Sequence, residues 1–242
     1  MHNQTFLHTF WEIINFWKFK NIYQLDMVDA VAVKKTLIRW FILELPMMIA
    51  GIIVVPIALL FCNKESTNLP KWARWWDEDR YGINGDYGWQ NEHFPNGKYT
   101  SYYARLRWLF RNKIGVYTTE VIGLDINKID INRLEIYGNK RTPDLHGSEG
   151  TQFCLIEGYL NDNTYVYSYF ANIEYDSPLL SQKFYTRYYL GHKLMDLADI
   201  ILIKDPEEKM KAWEERLADT TQDRYIKTVC AWHPLRRIKH QA

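Results

Sequence analysis

Residues 40–62 read WFILELPMMIAGIIVVPIALLFC and contain one charged side chain, Glu44. A helix of about 20 apolar residues is what the hydrocarbon core of a bilayer, about 30 Å thick, requires. Every backbone donor and acceptor in that core must be satisfied within the segment, which favours a helix. The sequence therefore predicts a membrane segment at residues 40–62.

Two prolines leave the path of this segment through the membrane open. Pro46 and Pro56 each lack the backbone donor that the interior of a helix uses. Their spacing suits a kinked single span, and it equally suits a re-entrant hairpin that returns to the side from which it entered. The buried core helix of a soluble domain is the remaining alternative.

Positive charges around the segment predict its orientation. Five basic side chains precede it and three closely follow it, namely Lys18, Lys20, Lys34, Lys35 and Arg39 before, and Lys64, Lys71 and Arg74 after. The cytoplasmic flanks of membrane helices carry the excess of positive charge. We therefore expect the N-terminus on the cytoplasmic side.

Residues 1–39 are predicted to form an interfacial amphipathic helix and a linker. Apolar side chains recur there at helical spacing, at Phe6, Phe10, Ile13, Ile14 and Trp17. A helix packed on the protein's own domain is the alternative. The residue order of a cleavable signal peptide is absent, so we expect the apolar segment to persist in the mature protein.

Residues 63–115 are predicted to be a juxtamembrane region rich in aromatic, Asp and Gly residues. The run NLPKWARWW, residues 68–76, places indole rings and cations where lipid headgroups would lie. A short helix is predicted over residues 99–112, with Leu106, Leu109 and Phe110 on one side and Arg105 facing away. We expect the following side chains at the membrane interface: Trp40, Trp72, Arg74, Trp75, Trp76, Arg105, Trp108 and Arg111.

Residues 116–242 are predicted to form a mostly antiparallel sheet with a covering helix. Strands rich in β-branched and aromatic residues are predicted over residues 116–126, 133–137, 153–160, 164–175 and 184–195. Asn161, Asp162 and Asn163 predict a hairpin between the third and fourth strands. A helix is predicted from Asp205 to about Asp219. The predicted fold class is α+β, with an N-terminal helical membrane anchor.

Aromatic side chains alternate along two of these strands. Three tyrosines share one face of the fourth strand and three residues share one face of the fifth, namely Tyr165, Tyr167 and Tyr169, and Tyr185, Arg187 and Tyr189. We expect an aromatic face packed under the helix that begins at Asp205. A surface for ligand or lipid is the alternative.

The charge balance and the cysteine content limit which partners the sequence predicts. There are 30 basic and 29 acidic residues, and this balance argues against a broad nucleic-acid surface. We expect the lipid bilayer as partner, with other proteins or a second copy of this chain as further ones. Cys62, Cys154 and Cys230 lack metal-ligand spacing and are expected to be reduced thiols, with pairing of Cys154 and Cys230 as the alternative.

The loop DEDRYGINGD, residues 77–86, is the candidate metal site. Asp77, Asp79 and Asp86 lie on a Gly-rich turn, where carboxylates suit a hard cation such as calcium. The loop opens like an EF-hand, but its twelfth position is Gly88 instead of the bidentate Glu. A hydrogen-bonded turn in solvent is the alternative, and we expect no other cofactor.

Catalytic motifs are missing from the sequence. The loop around His146 combines a histidine with Ser148 and Glu149, yet it does not spell G-x-S-x-G. The chain also lacks H-E-x-x-H, a Walker sequence and a dinucleotide-binding glycine pattern. We predict no catalytic residue and favour a role other than that of an enzyme.

Residues 69–113 resemble a family of uncharacterised proteins of tailed bacteriophages. The resemblance is carried by LPKWARWWDEDRYGINGD from Leu69, by Gly88 and Trp89, and by RLRWLFRN at residues 105–112, with a weaker echo in YYLGHK at residues 188–193. It implies a phage origin, and thus a host inner membrane or a virion as the location. Glu78 and Tyr81 depart from the family's pattern, which weakens the metal prediction.

These features together predict a membrane-anchored phage protein that acts by contact at the host envelope. It would be a component of the virion, or ejected from it, or an accessory protein of the infection. A cation-dependent envelope hydrolase that uses Asp77, Asp79 and Asp86 is the first alternative. A small pore-forming or holin-like oligomer, with Glu44 lining the pore, is the second.

Overall fold

The computed structural model describes residues 28–144, 150–176, 183–219 and 223–237. The chain packs as two units. The helical unit comprises residues 38–123, and the sheet unit comprises the described residues from 28 to 37 together with those from 124 to 237. The sheet unit is therefore assembled from two stretches of chain that flank the helical unit in sequence.

One long helix runs from Ala30 to Leu59. It consists of helix α1, Ala30–Arg39, a π-helical segment, Trp40–Glu44, and helix α2, Leu45–Leu59. The predicted apolar segment is therefore helical, although its helix begins well before Trp40. Because α2 continues through Pro56, the re-entrant hairpin is wrong: the chain does not reverse there.

The remaining helices are short. In chain order they are a 3-10 helix at Lys71–Trp76, α3 at Tyr87–His93, a 3-10 turn at Lys98–Thr100, α4 at Tyr102–Arg111, a π-helical segment at Tyr117–Val121, 3-10 turns at Ile126–Lys128 and Leu194–Leu197, α5 at Ala198–Ile201 and α6 at Pro206–Ala218. Helix α4 confirms the helix predicted over residues 99–112. Helix α6, with Asp205 as its N-cap, confirms the one predicted to begin there.

The strands confirm a mostly antiparallel sheet and the α+β class. They are β1 at Leu124–Asp125, β2 at Ile129–Gly138, β3 at Gln152–Leu160, β4 at Tyr165–Asp176, β5 at Lys183–His192, β6 at Tyr225–Ile226 and β7 at Thr228–Arg237. Five of them form an antiparallel sheet in the order β2-β3-β4-β5-β7, and β1 pairs with β6. The predicted hairpin joins β3 to β4, with Asn163 in the left-handed conformation at φ +63°.

The strand predicted over residues 116–126 is largely wrong. Residues 117–121 form a π-helical segment, and extended pairing is confined to β1. The Thr118 hydroxyl donates to the carbonyl of Ile114 (3.0 Å), a local bond that satisfies it within a helical turn. Burial of both Thr118 and Thr119 leaves no alternation of exposed and covered side chains. Tertiary packing has overridden the β-propensity of this run.

The two faces of the five-stranded sheet carry separate cores. On one face, Val166, Cys154 and Ile156 pack with Leu197 and with Trp213 of α6. On the other face, α1 covers several tyrosines. This second core includes Val28, Val33, Tyr167, Tyr169 and Tyr188. The Tyr167 hydroxyl donates to the Thr36 hydroxyl of α1 at 2.9 Å.

The pattern of aromatic faces therefore differs from the prediction in two respects. Helix α1 covers the tyrosine face of β4, whereas α6 packs on the opposite face. Tyr169 pairs with Leu190 in the register of β4 and β5, and Phe170 pairs with Tyr189. Tyr185, Arg187 and Tyr189 thus lie on the face opposite to Tyr165, Tyr167 and Tyr169. The covering helix could not be assigned from strand periodicity alone.

Candidate membrane-contacting surface

The helical unit exposes apolar side chains along one side of the long helix. Their exposed fractions range from 46% to 73%, and we call this set the apolar face: Ile38, Phe41, Ile42, Ile49, Ile52, Ile53, Ile57, Leu60 and Phe61. Their spacing of about three, four or seven residues places them on one stripe of a helix. A large aliphatic side chain gains roughly 1.5–3 kcal/mol when it leaves water completely, so this stripe is a strong apolar binding surface.

The opposite side of α2 packs on the rest of the helical unit. Gly51 faces Trp76 so closely that an added Cβ would lie 2.7 Å from the indole Cδ1. The Trp76 indole N–H donates to the carbonyl of Met47 (2.8 Å), and the Tyr102 hydroxyl donates to that of Pro56 (3.2 Å). These contacts fix the rotation of α2 and therefore decide which of its side chains are exposed.

Glu44, the one charge in the predicted segment, is buried. Its side chain accepts a bond from Arg39 Nε at 3.3 Å, and Glu44 is 4% exposed. The wider π turn at residues 40–44 brings positions five apart onto the same side of the helix. Trp40, at the start of this turn, is half-buried. The protein thus neutralises this carboxylate internally instead of presenting it to headgroups.

Exposed aromatic and basic side chains follow the apolar face in sequence, in the 3-10 helix at Lys71–Trp76. Trp72 and Trp75 are exposed by 57% and 51%, and the Phe61 ring meets Trp72 edge to face at 6.2 Å. Arg74 is exposed and pairs with Glu120 at 2.7 Å. This combination of wet indoles and cations is the one that the headgroup region favours.

Two residues predicted at the membrane interface are buried instead, so the prediction is wrong for them. Arg105 is 3% exposed, and its guanidinium donates to four oxygens: the carbonyls of Asn63 (2.7 Å), Lys64 (3.1 Å) and Ser66 (2.8 Å), and Asn84 Oδ1 (2.9 Å). Trp108 donates from its indole to the carbonyl of Gly82 at 2.9 Å. A helical period alone does not reveal that a cation will be caged by loop carbonyls.

Arg111 is exposed and Trp76 is half-buried. The exposed Arg111 guanidinium lies over the Trp89 ring at 5.2 Å, a cation–π contact. Trp76 is half-buried against α2 through the contacts described above. Of the eight side chains predicted at the interface, Trp72, Arg74, Trp75 and Arg111 are exposed.

The three candidate metal ligands make separate hydrogen bonds to the protein. Asp77 is buried and accepts from the backbone N–H groups of Leu69 (2.8 Å) and Glu78 (3.0 Å). Asp79 accepts from the Thr119 hydroxyl at 2.6 Å, whereas Asp86 caps α3 through the N–H of Trp89 at 2.7 Å. Among the described residues, the structure brings together no group of three side chains suited to a metal.

Burial dominates the electrostatics of this loop. It raises the pKa of Asp77 to about 6. Burial and the hydrogen-bonded neighbour Asp79 together raise the pKa of Glu78 to about 7, although the N–H groups of Tyr81 and Arg80 donate to its carboxylate. Adjacent carboxyl groups disfavour simultaneous ionisation, so this pair retains a proton to higher pH than free carboxyls do.

The remaining sequence predictions concern the His146 loop, the N-terminal helix and the cysteines. His146, Ser148 and Glu149 lie outside the described residues, as does the predicted interfacial helix up to residue 27. All three cysteines are free thiols, as expected. Cys154 and Cys230 belong to β3 and β7 and pack on opposite faces of the sheet, so the alternative of a disulfide between them is wrong.

Comparison with known proteins yields a family but no activity. The sequence profile of a family of unknown function, DUF7338, matches residues 32–216, more than half of the chain. No curated protein and no solved structure matches the chain significantly.

Proposed function

The chain belongs to the DUF7338 family of unknown function, and from that premise we propose that it is a non-enzymatic protein anchored to a lipid bilayer by its apolar face. The apolar face carries this proposal. The most apolar 18 residues of the long helix have a mean hydropathy of 2.4, yet only 28% of that window is buried within the protein. The core helix of a soluble domain would be mostly covered, whereas lipid provides the missing contact.

Flotation with lipid vesicles tests the anchor. Ile49→Glu combined with Ile53→Glu places two charges in the middle of the apolar face, where both residues are more than half exposed. A charge in hydrocarbon costs about 2.5–3.5 kcal/mol, so the pair should lower binding to phosphatidylethanolamine–phosphatidylglycerol vesicles by at least 100-fold. Exposure of both sites means that the fold should survive, which circular dichroism checks.

A matched control separates the apolar face from general surface hydrophobicity. Leu202 follows α5 in the sheet unit and is 44% exposed. Leu202→Glu should leave flotation unchanged. Unimpaired flotation of the doubly charged variant, or failure of the unmodified protein to float, would contradict the anchor.

The resemblance of residues 69–113 to phage proteins supports a proposed setting for this anchor. The protein would act at the host envelope during bacteriophage infection, as a component of the virion or ejected from it, or as an accessory protein. Mass spectrometry of purified virions and of infected-cell membranes distinguishes these roles. Absence of the protein from both fractions would contradict the setting.

The geometry supports the two alternatives less well. Glu44, the residue that would line a pore, is covered by its own chain and bonded to Arg39. Asp77, Asp79 and Asp86, which would hold the cation of a hydrolase, point to three different protein donors. Calorimetric titration of the full-length chain with calcium tests the second alternative, which an Asp79-dependent binding isotherm would revive.

A further inference from the structure

We infer, building on the proposed anchor, that the long helix lies along one leaflet of the bilayer and does not cross it. The partner is then the headgroup and upper acyl region of a single leaflet. Three features of the chain lead to this topology, namely the assembly of the sheet unit, the composition of the helical unit and the charges that flank α2.

The sheet unit fixes both ends of the helical unit on one side of any membrane. Val28 and Val33 share a core with Tyr167 and Tyr169, and the hydroxyls of Thr36 and Tyr167 are 2.9 Å apart. Residues on both sides of the helical unit in sequence are thus parts of one packed body. The chain between residues 37 and 124 must therefore cross a bilayer an even number of times.

The helical unit contains one segment that could cross a bilayer, whereas an even number of crossings is required. The long helix alone, within residues 38–123, is long and apolar enough. The longest of the later helices in this unit, α4, has 10 residues and so spans about 15 Å, half of the hydrocarbon core. The helical unit therefore has no second segment for a return crossing. The number of crossings that satisfies both conditions is zero.

Charges beside the middle of α2 lead independently to the same topology. Lys113 lines a crevice together with Met48, Gly51 and Val55. Lys113, Arg107 and Arg111 are all exposed. A crossing at residues 40–62 would bring these cations to the depth of the hydrocarbon, at about 2.5–3.5 kcal/mol for each.

The shape of the apolar face suits the plane of the membrane. From Ile38 to Leu60 it extends along about 33 Å of helix on one side only. Trp72 borders its C-terminal end, where the indole meets the Phe61 ring. Because the rest of the helical unit covers the other side of α2, the apolar face can be immersed from one side alone, to the depth of about 5–10 Å at which interfacial helices lie.

The number of labels added to each chain tests this topology. The full-length chain with Cys62→Ser and Cys230→Ala receives Lys35→Cys before the apolar segment and Glu65→Cys after it, both at exposed positions. Cys154 stays, because it is fully covered and burial raises its pKa to about 12. The protein is reconstituted into sealed phosphatidylethanolamine–phosphatidylglycerol vesicles and treated with a membrane-impermeant maleimide. Mass spectrometry then counts the additions on each chain.

The outcomes separate the topology from the anchor. Each molecule in one leaflet has both cysteines on the same side, so masses with zero or two additions are expected, and two additions for all molecules after detergent is added. A population with one addition in sealed vesicles would show a crossing and overturn the inference, while the anchor would stand. Failure of the protein to float with the vesicles would overturn both. The same chain without the two new cysteines should take up no label.

Discussion

At the scale of single residues, polar groups within residues 69–113 hold the helical unit together. Arg105 bonds four oxygens, Asp77 caps two backbone N–H groups and Asp86 starts α3. An added Cβ at Gly82 would lie 2.1 Å from the carbonyl oxygen of Thr67, so that glycine permits a close backbone approach. The sequence pattern singles out these residues but predicts contacts with a metal and with headgroups, because residue spacing does not show which side chains are buried.

Arg105→Lys should destabilise the helical unit. A lysine has three donors on one nitrogen and cannot reach four oxygens that surround a planar guanidinium. Each buried acceptor left unsatisfied costs about 1–3 kcal/mol, so we expect a loss of at least 2 kcal/mol in the free energy of unfolding. Urea denaturation followed by tryptophan fluorescence measures it.

Arg107→Lys is the matched control for this substitution. Arg107 lies on the same helix but is exposed, with its guanidinium 5.2 Å from the Trp89 ring centroid. Lysine preserves the cation there, so the change should stay within about 0.5 kcal/mol. Equal effects of the two variants would contradict a special role for the Arg105 cage.

Glu78 should make the stability of the helical unit fall as the pH rises. Its pKa is about 7 in the folded chain and near 4.5 for the free side chain, so the folded state binds more protons between these values. The stabilisation is complete below pH 4.5 and is lost as the pH rises through 7. Because Glu78 is half-buried, solvent screening limits the effect to roughly 1 kcal/mol.

Glu78→Gln should flatten this pH profile. Tyr81 and Arg80 donate to the same carboxylate oxygen, which the amide oxygen of glutamine can replace. The pH dependence that remains in this variant is due to Asp77, whose pKa is also raised. Urea denaturation at pH 5 and pH 8 measures the difference, and Glu92→Gln, at an exposed position on α3, is the control. An unchanged profile in Glu78→Gln would contradict the assignment.

At the scale of secondary structure, periodicity predicted elements better than it predicted their partners. The strands β2 to β5, the turn at Asn163 and helix α6 follow from alternation and capping residues. The missed strand β7 contains Pro234, a residue tolerated here because β7 is at the edge of the sheet. The identity of the helix over the tyrosine face depends on contacts between residues 131 positions apart, which no local pattern encodes.

The turn between β3 and β4 should discriminate between glycine and alanine. Asn163 has φ +63°, a region that glycine adopts freely and alanine does not. Both Asn163→Gly and Asn163→Ala lose the bond from Arg133 to Asn163 Oδ1 (2.8 Å), so that loss cancels in the comparison. Alanine should be less stable than glycine by about 1 kcal/mol in urea denaturation. A more stable alanine variant would contradict the left-handed turn.

At the scale of the whole molecule, the net charge is too small to be the main source of the proposed attraction to a membrane. The net charge is +1, from 30 basic and 29 acidic residues. If binding is through the apolar face, 1 M sodium chloride should leave the protein on vesicles, since salt screens surface charges but strengthens apolar contacts little. A mild detergent should release it. Release by salt alone in a sedimentation assay would indicate electrostatic attachment instead.

The sheet unit, interrupted in sequence by the helical unit, has a consequence for biosynthesis. Thr36 leaves the ribosome 131 residues before its partner Tyr167. At about 5–20 residues per second, the first stretch waits roughly 7–26 s without the strand that carries Tyr167. During that interval the nascent apolar helix is uncovered, so if the proposed anchor is correct, delivery to the membrane would precede completion of the sheet.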